Sequence, residues 1–349
     1  MIMSEKGYNV AVIGATGNVG REMLTILHER EFPVKNLYAL ASSKSSGKMV
    51  SMSLNKQVKV ECLDDFDFKN NEVDIAFFCA GSDVSKKYAE EFAKTGCVVI
   101  DKSSLFRMDN DVPLVVPEIN GFLLNELPKN IVSTPNCTTI PLVLCLKLLD
   151  EKYKIKRVVV TTFQSVSGTG KNAMDELYRQ TKGYFEAEIR HIENDNLRGE
   201  VYPKQIAFNC IPQCGNFTHD GFTSEEDKIV NETKKILNKE INISVTCVRV
   251  PVFRCHAESV NIEFEEDFDI NELNEFLSDS EPIVVQDRHE DGGYAVQVES
   301  VGTDCVFVSR LRRDLSIKNG INFWLVCDNL RKGSALNGVQ IAEELIKII

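Results

Sequence analysis

The sequence predicts an α/β protein: a doubly wound parallel sheet followed by a second, α+β domain. Three observations predict it. Short apolar runs alternate with helical patterns through the first third of the chain, as in βαβ units. A glycine-rich turn, "GATGNVG", joins the first such run to the first helix. After about residue 135 the β segments become longer, β-branched and alternating, which suits a mixed or antiparallel sheet. A length of 349 residues exceeds one ordinary core, so two domains are expected at roughly 150 residues each.

The elements follow in order. "YNVAVI" reads as a buried strand, and "REMLTILHEREF" as a helix with Met23, Ile26 and Leu27 at helical spacing. "LYALAS" and "VDIAFFCAG" are the next two strands. "SKKYAEEFAKTG" is a helix closed by Gly96, and "CVVID" a further strand. In the second part, "RVVVTTFQSVSG", "SVTCVRVPVF", "ESVNIEFE" and "CVFVSRLRRD" are strands. "TSEEDKIVNETKKILNK" is an amphipathic helix with Ile229, Thr233 and Ile236 on one side. The chain ends in a helical stretch, "NLRKGSALNGVQIAEELIKII". The expected division is 1–135 for a dinucleotide domain and 136–328 for a catalytic and association domain, with 329–349 returning to the first.

Composition excludes some partners. A formal net charge of -12 disfavours nucleic acid and anionic membrane surfaces. The start, "MIMSEKGYNVAVIG", has no apolar stretch long enough for an export signal, and no apolar run approaches the ~18 residues of a membrane helix. The expectation is a cytoplasmic protein whose eleven cysteines are reduced. "CIPQC", with Cys210, Cys214 and nearby His219, lacks a fourth ligand and the usual tighter spacing. It reads as buried thiols, and no metal is expected.

Gly14, Gly17 and Gly20 follow a strand and open a helix. Such glycines let the backbone approach a pyrophosphate, and the helix N-terminus offers it free N–H groups. Thr16, Asn18 and Val19 complete this Rossmann-like loop. The alternative is a tight turn without ligand. An NAD site puts an acid near the end of the second strand. Here that strand ends "ALASSKSSGK", and Ser42, Lys44, Ser45 and Lys48 instead suit a 2′-phosphate, so NADP is favoured over NAD.

Cys137, in "STPNCTTIPLVLCLKLLD", stands at a helix start, where a thiol is activated. A cysteine nucleophile beside a dinucleotide suggests interconversion of an aldehyde and an acyl derivative through a thioester. On its own, Cys137 reads first as a buried helix cap, since cysteine is among the most buried residues.

The motifs "GATGNVG", "SSLFRMDNDVPLVVPEIN", "STPNCTTI", "FQSVSGTGKNAMDEL", "GFTSEEDKIVNETKKIL", "RVPVFRCHAESVNIEF" and "DNLRKGSALNGVQIAEE" together resemble the aspartate-semialdehyde dehydrogenase family, from the first strand to the terminal helix. The resemblance implies an NADPH-dependent oxidoreductase that makes L-aspartate 4-semialdehyde from L-aspartyl 4-phosphate, on the route to lysine, methionine and threonine. It implies Cys137 as the acyl-thioester nucleophile, Gln164 as the residue orienting the acyl group, and His256 as the acid/base. It implies Arg249 as partner of the substrate carboxylate and Glu225 as partner of its amine. Arg107, Asn136 and Lys228 are implied phosphate ligands, and Ser167, Gly168 and Asn329 cofactor contacts. Glu225 and Lys228, three apart on one helix face, also read as an ion pair, and both readings are compatible. Lys44 stands where the family frequently has arginine, and Thr138 where serine is frequent.

The nearest alternative is the related reductase of N-acetylglutamyl phosphate, against which Glu225 argues, since an acetylated amine carries no charge. The other alternative is a non-catalytic dinucleotide-binding regulator, which has no need of Cys137, Gln164, Arg249 and His256 together. A homodimer through the second domain is expected, because that domain has few helices to cover both sheet faces. Tyr184 and Phe185, in a long loop "GYFEAEIRHIENDNLRGEVYPKQ", are candidate interface anchors.

Overall fold

The computed structural model describes residues 7–67, 70–186 and 199–348. The chain divides into two compact units, Met1–Asn136 with Ser334–Ile349, and Cys137–Gly333. The two boundaries lie one and five residues beyond those expected at 135 and 328. The first shift matters, because the break then falls on the peptide bond between Asn136 and Cys137.

The first unit begins with β1 (Tyr8–Ile13), α1 (Asn18–Glu29) and β2 (Val34–Ala41). β3 (Met49–Ser53), β4 (Lys56–Cys62) and β5 (Ile75–Phe78) follow, then α2 (Ser82–Lys94), β6 (Val98–Asp101), α3 (Pro117–Asn120) and β7 (Ile131–Ser133). The sheet order is β3-β4-β2-β1-β5-β6-β7. All neighbours are parallel except the β3–β4 hairpin, which the apolar pattern does not predict. Every residue of β1 is buried, because helices cover both faces. One core cluster joins Met23, Leu24, Ile26 and Leu27 of α1 to Leu336, Val339, Ile341 and Ala342 of the C-terminal helix Leu336–Leu345. The other joins Tyr88, Ala89 and Phe92 of α2 to Ile13, Ala76 and Phe78 of the sheet. The strand order reverses at β1, which places the glycine turn at the switch point where such sheets bind ligands.

The second unit opens on α4 (Thr139–Tyr153), followed by β8 (Ile155–Gln164), α5 (Lys171–Glu186), α6 (Ser224–Leu237), β9 (Asn242–Arg249) and β10 (His256–Phe264). It closes with α7 (Ile270–Ser278), β11 (Ile283–Val285), β12 (Val306–Asp314) and β13 (Gly320–Cys327). The sheet order is β11-β12-β13-β10-β8-β9, with β8–β9 and β11–β12 parallel and the rest antiparallel. It is the mixed sheet that the β-branched alternation predicts. Ile229, Thr233 and Ile236 are the buried side of α6, as their spacing predicts. The segment read as one long loop is corrected: Tyr184 and Phe185 lie on the last turn of α5, and residues 187–198 fall outside the described residues.

Candidate active site

In the first unit, the three loop glycines have different reasons to be glycine. Gly14 has φ 83°, and a Cβ there would sit 2.9 Å from the Cys79 carbonyl oxygen, just past β5. A Cβ on Gly20 would lie 2.2 Å from the Gly14 oxygen, so α1 packs directly on the turn. The fold itself therefore demands both. Gly17, the N-cap of α1, is different: its Cβ would meet only the Gly14 oxygen, at 3.4 Å. A side chain there would fill the space beside the helix N-terminus that an anion needs. Asn18 and Val19 form the first turn of α1. Thr16 Oγ1 lies 3.5 Å from Ser45 Oγ, so the glycine turn and the end of β2 meet. Ser42 caps the short turn Ser43–Ser45, and Lys44 is exposed upon it. Arg107 is buried, with Nη2 donating to the Lys102 carbonyl at 2.9 Å, and Asn136 is buried at the end of the unit.

In the second unit, the strands bring three residues to one sheet end. Gln164 ends β8 and Arg249 ends β9, paired in register. His256 starts β10, whose next residue Ala257 pairs with Phe163. All three are buried. Glu225, in the first turn of α6, joins them: Gln164 Nε2 donates to its Oε1 at 3.1 Å, and Lys228 Nζ to its Oε2 at 3.0 Å. The ion pair expected from the spacing is thus present, and Glu225 also meets Gln164. Glu226, the next residue, fixes α6 by accepting from the Thr223 N–H at 2.7 Å and from the Cys247 N–H of β9 at 3.0 Å.

His256 has a defined tautomer. The Ser165 backbone N–H donates to Nδ1 at 3.0 Å, so Nδ1 is an acceptor and the neutral ring carries its proton on Nε2. Nε2 is buried without a hydrogen-bond partner among the described residues. Burial, with the Arg249 cation beside it, lowers the His256 pKa to about 3, so the ring is neutral. Gly168 leaves room for it: a Cβ there would lie 3.1 Å from both Cε1 and Nε2, and 3.4 Å from Arg249 Nη1. Cys255, just before the histidine, holds a left-handed φ of 70°. Its N–H donates to Asn329 Oδ1 at 2.9 Å and its carbonyl accepts from Gln297 Nε2 at 2.9 Å, which clamps the strain in place. Asn329 Nδ2 also donates to Ser167 Oγ at 3.0 Å. Asn329 therefore braces the 165–167 turn against the strand that carries His256.

Cys137 is half-buried, in the turn that leads into α4. Thr138 is the N-cap, and nearly the whole first two turns are buried. Gly333 packs against it: a Cβ there would sit 2.9 Å from the Cys137 carbonyl oxygen and 3.5 Å from its Cβ. Gly333 follows β13, whose last residue Cys327 pairs with His256, so the thiol and the imidazole belong to the same end of the sheet. Burial raises the thiol pKa of Cys79, Cys97, Cys145, Cys214, Cys247, Cys255, Cys305 and Cys327. A raised pKa leaves these eight with less of the nucleophilic thiolate at neutral pH. Cys210 is exposed, which corrects its reading as a buried thiol, while Cys214 is buried.

Sequence reasoning missed Ser165. Its N–H fixes the histidine tautomer, and its carbonyl accepts from Arg249 Nη1 at 2.7 Å. Backbone groups leave no residue-type signal, so only its place between Gln164 and Ser167 pointed to it.

Two family models match: the NAD binding domain of semialdehyde dehydrogenase over residues 9–126, and the dimerisation domain of semialdehyde dehydrogenase over residues 146–332. An aspartate-semialdehyde dehydrogenase of Rickettsia conorii is 54% identical over 98% of both chains, and one of Aquifex aeolicus is 44% identical over 98% of both. The crystal structure of aspartate semialdehyde dehydrogenase II from Vibrio cholerae has a TM-score of 0.91 at 44% identity, covering 98% of this chain and 99% of that one. The neutral histidine, the paired carboxylate and the cysteine before α4 thus stand in a fold that these relatives share under one name, and this chain belongs to the aspartate-semialdehyde dehydrogenase family.

Proposed function

We propose that this chain performs its family's reaction, the NADPH-dependent reductive dephosphorylation of L-aspartyl 4-phosphate to L-aspartate 4-semialdehyde. The observation that carries this reading is the meeting of Gln164, Arg249, His256 and Glu225 at one sheet end, with Cys137 entering α4 at the same end. A carboxylate and an amine need opposite partners. Arg249 offers the first a planar fork, and Glu225 offers the second a carboxylate. A Vibrio cholerae relative, 43% identical, is described as complexed with ASA.

In this reading the Cys137 thiolate attacks the acyl carbon, and backbone N–H groups near the start of α4 stabilise the oxyanion. Gln164 holds the acyl group, its Oε1 having no hydrogen-bond partner among the described residues. Phosphate leaves as the thioester forms. Arg107, Asn136 and Lys228 are its proposed ligands. NADPH, when bound, supplies the hydride that reduces the thioester. His256 presents Nε2–H to the oxygen of the tetrahedral intermediates, and the thiohemiacetal then releases Cys137 as thiolate. Gly14, Thr16, Gly17, Asn18 and Val19 are proposed to hold the pyrophosphate, with Ser42, Lys44 and Ser45 at the 2′-phosphate. Ser167, Gly168 and Asn329 shape the turn on the nicotinamide side.

The same proposal includes a homodimer through the second unit and a cytoplasmic location. Phe163, Phe307 and Trp324 are only partly buried on one sheet face, and Phe163 and Trp324 meet at 5.3 Å between ring centroids, leaving apolar area that a second copy would cover. Eleven free thiols fit a reducing compartment.

The test is phosphate-dependent NADP reduction with aspartate semialdehyde. Cys137→Ala is expected to abolish it while leaving NADP affinity unchanged, because the dinucleotide loop lies in the other unit. Full activity in that variant refutes the mechanism, and a preference for N-acetylglutamate semialdehyde favours the related reductase.

A further inference from the structure

Arg249 has a partner that neither the proposed mechanism nor the motifs account for. Its guanidinium carbon lies 5.9 Å from the centroid of the Tyr202 ring, within cation–π range. Tyr202 is buried, and burial raises its phenol pKa, so it stays neutral. Its hydroxyl donates to Thr169 Oγ1 at 2.8 Å, and Thr169 caps the turn Val166–Gly168 that borders His256.

The segment bearing Tyr202 is built to hold still. Glu176 of α5, buried, accepts from the N–H groups of Glu200 at 2.8 Å, Val201 at 2.6 Å and Tyr202 at 3.5 Å. Successive N–H groups turned onto one anion make a rigid nest. Gly199 permits the approach, since a Cβ there would lie 2.1 Å from the Tyr202 carbonyl oxygen and 2.8 Å from Glu176 Oε1. Gln180, one helical turn on, accepts from the Ile206 and Ala207 N–H groups at 3.0 Å each. Apolar packing of Tyr202 with Val166, Ala173, Leu177 and Ile206 completes the platform.

We propose that Tyr202 is a positioning residue: its ring sets the plane of the Arg249 fork for the substrate carboxylate, and its hydroxyl ties that fork to the 166–169 turn. A guanidinium anchored through the Ser165 carbonyl still rotates about that hydrogen bond; a flat ring beside it removes that freedom. The inference deepens the proposed function and rests on Arg249 being the carboxylate partner. Tyr202 acts through Arg249 and touches no reacting atom.

The experiment compares KM for aspartate semialdehyde with KM for phosphate in Tyr202→Leu, Tyr202→Phe, Thr169→Val and Arg249→Leu. Tyr202→Leu is expected to raise KM for the semialdehyde about 3- to 30-fold, the range of a desolvated cation–π contact, with KM for phosphate within about twofold. Tyr202→Phe keeps the ring and is expected to keep KM for the semialdehyde, while raising KM for NADP together with Thr169→Val. A further variant with trifluorophenylalanine in place of Tyr202 keeps the shape of the phenylalanine ring and weakens its quadrupole. Relative to Tyr202→Phe it is expected to raise KM for the semialdehyde about 2- to 5-fold, which a purely structural ring would not do. This last pair keeps the inference testable if Tyr202→Leu does not fold. An unchanged KM for the semialdehyde in both Tyr202→Leu and the fluorinated variant, with Arg249→Leu impaired, overturns the role of Tyr202 alone. An unimpaired Arg249→Leu overturns the carboxylate reading and this inference with it.

Discussion

His256 offers a prediction whose magnitude follows from burial. In the native protein its pKa is lowered to about 3, whereas in the unfolded chain it is about 6.5. Below pH 6.5 the unfolded chain takes up a proton that the native state refuses, so unfolding is favoured as pH falls. The stability contributed by the neutral ring is complete above pH 6.5 and is lost progressively down to about pH 3. The loss amounts to about 1.4 kcal/mol at about pH 5.5 and about 2 kcal/mol at about pH 5, relative to a variant without the titration. His256→Gln is that variant. Urea unfolding of both proteins from about pH 7.5 to about pH 5 gives a difference curve in which the other titrating groups cancel, and wild type is expected to lose ground by these amounts. The imidazole resonance that disappears in His256→Gln is expected not to move over the same range. A flat difference curve, or a resonance titrating near pH 6.5, refutes the claim that the ring is buried neutral. It also removes the argument that its Nε2–H is fixed by the Ser165 N–H.

Two substitutions test the surroundings of that ring. Gly168→Ala places a methyl group 3.1 Å from His256 Cε1 and Nε2; kcat/KM is expected to fall about 10- to 100-fold with little change in Tm, and unchanged kinetics would mean the turn yields freely. Glu258, two residues along β10, is wholly buried, its carboxylate oxygens have no partner among the described residues, and burial raises its pKa well above the ordinary value. The native state therefore keeps a proton that the unfolded chain releases, and stability falls as pH rises above about 4.3, by about 1.4 kcal/mol per pH unit up to the native pKa. Glu258→Gln is expected to be more stabilising at about pH 7 than at about pH 5, and an equal effect at both values refutes a neutral Glu258.

Some of the protein was legible in its sequence because the signals are local. The run "YNVAVI" into "GATGNVG" announces a buried strand, a turn and a helix within a short stretch, and the structure has each of them. The amphipathic pattern of α6 names its buried side by spacing alone. The β3–β4 hairpin was not legible. β4 reads "KQVKVEC", too charged for a core strand, because it is second from the sheet edge and most of its side chains are exposed. The glycine spacing marked the loop but not its division of labour. That Gly14 and Gly20 serve packing while Gly17 leaves open space depends on β5 and α1, which the motif does not contain.

The candidate site divides the same way. The thiol at a helix start could be read from the chain, but only the family resemblance singled it out, together with the arginine and the histidine of "RVPVFRCH". Their chemistry did not follow from type. The tautomer of His256 comes from the Ser165 amide, and its neutrality from burial beside Arg249. The raised thiol pKa of eight other cysteines comes from burial by their neighbours. The Tyr202 platform joins residues of α5, the segment after it and the end of β9, none of which share a motif. Propensity, spacing and turn chemistry act over a few residues, so the order of the elements and the reactive atoms on offer are already written in the chain. Which protons those atoms hold, and which groups face one another, waits for the folded arrangement, because desolvation and hydrogen bonding depend on neighbours brought from distant parts of the chain.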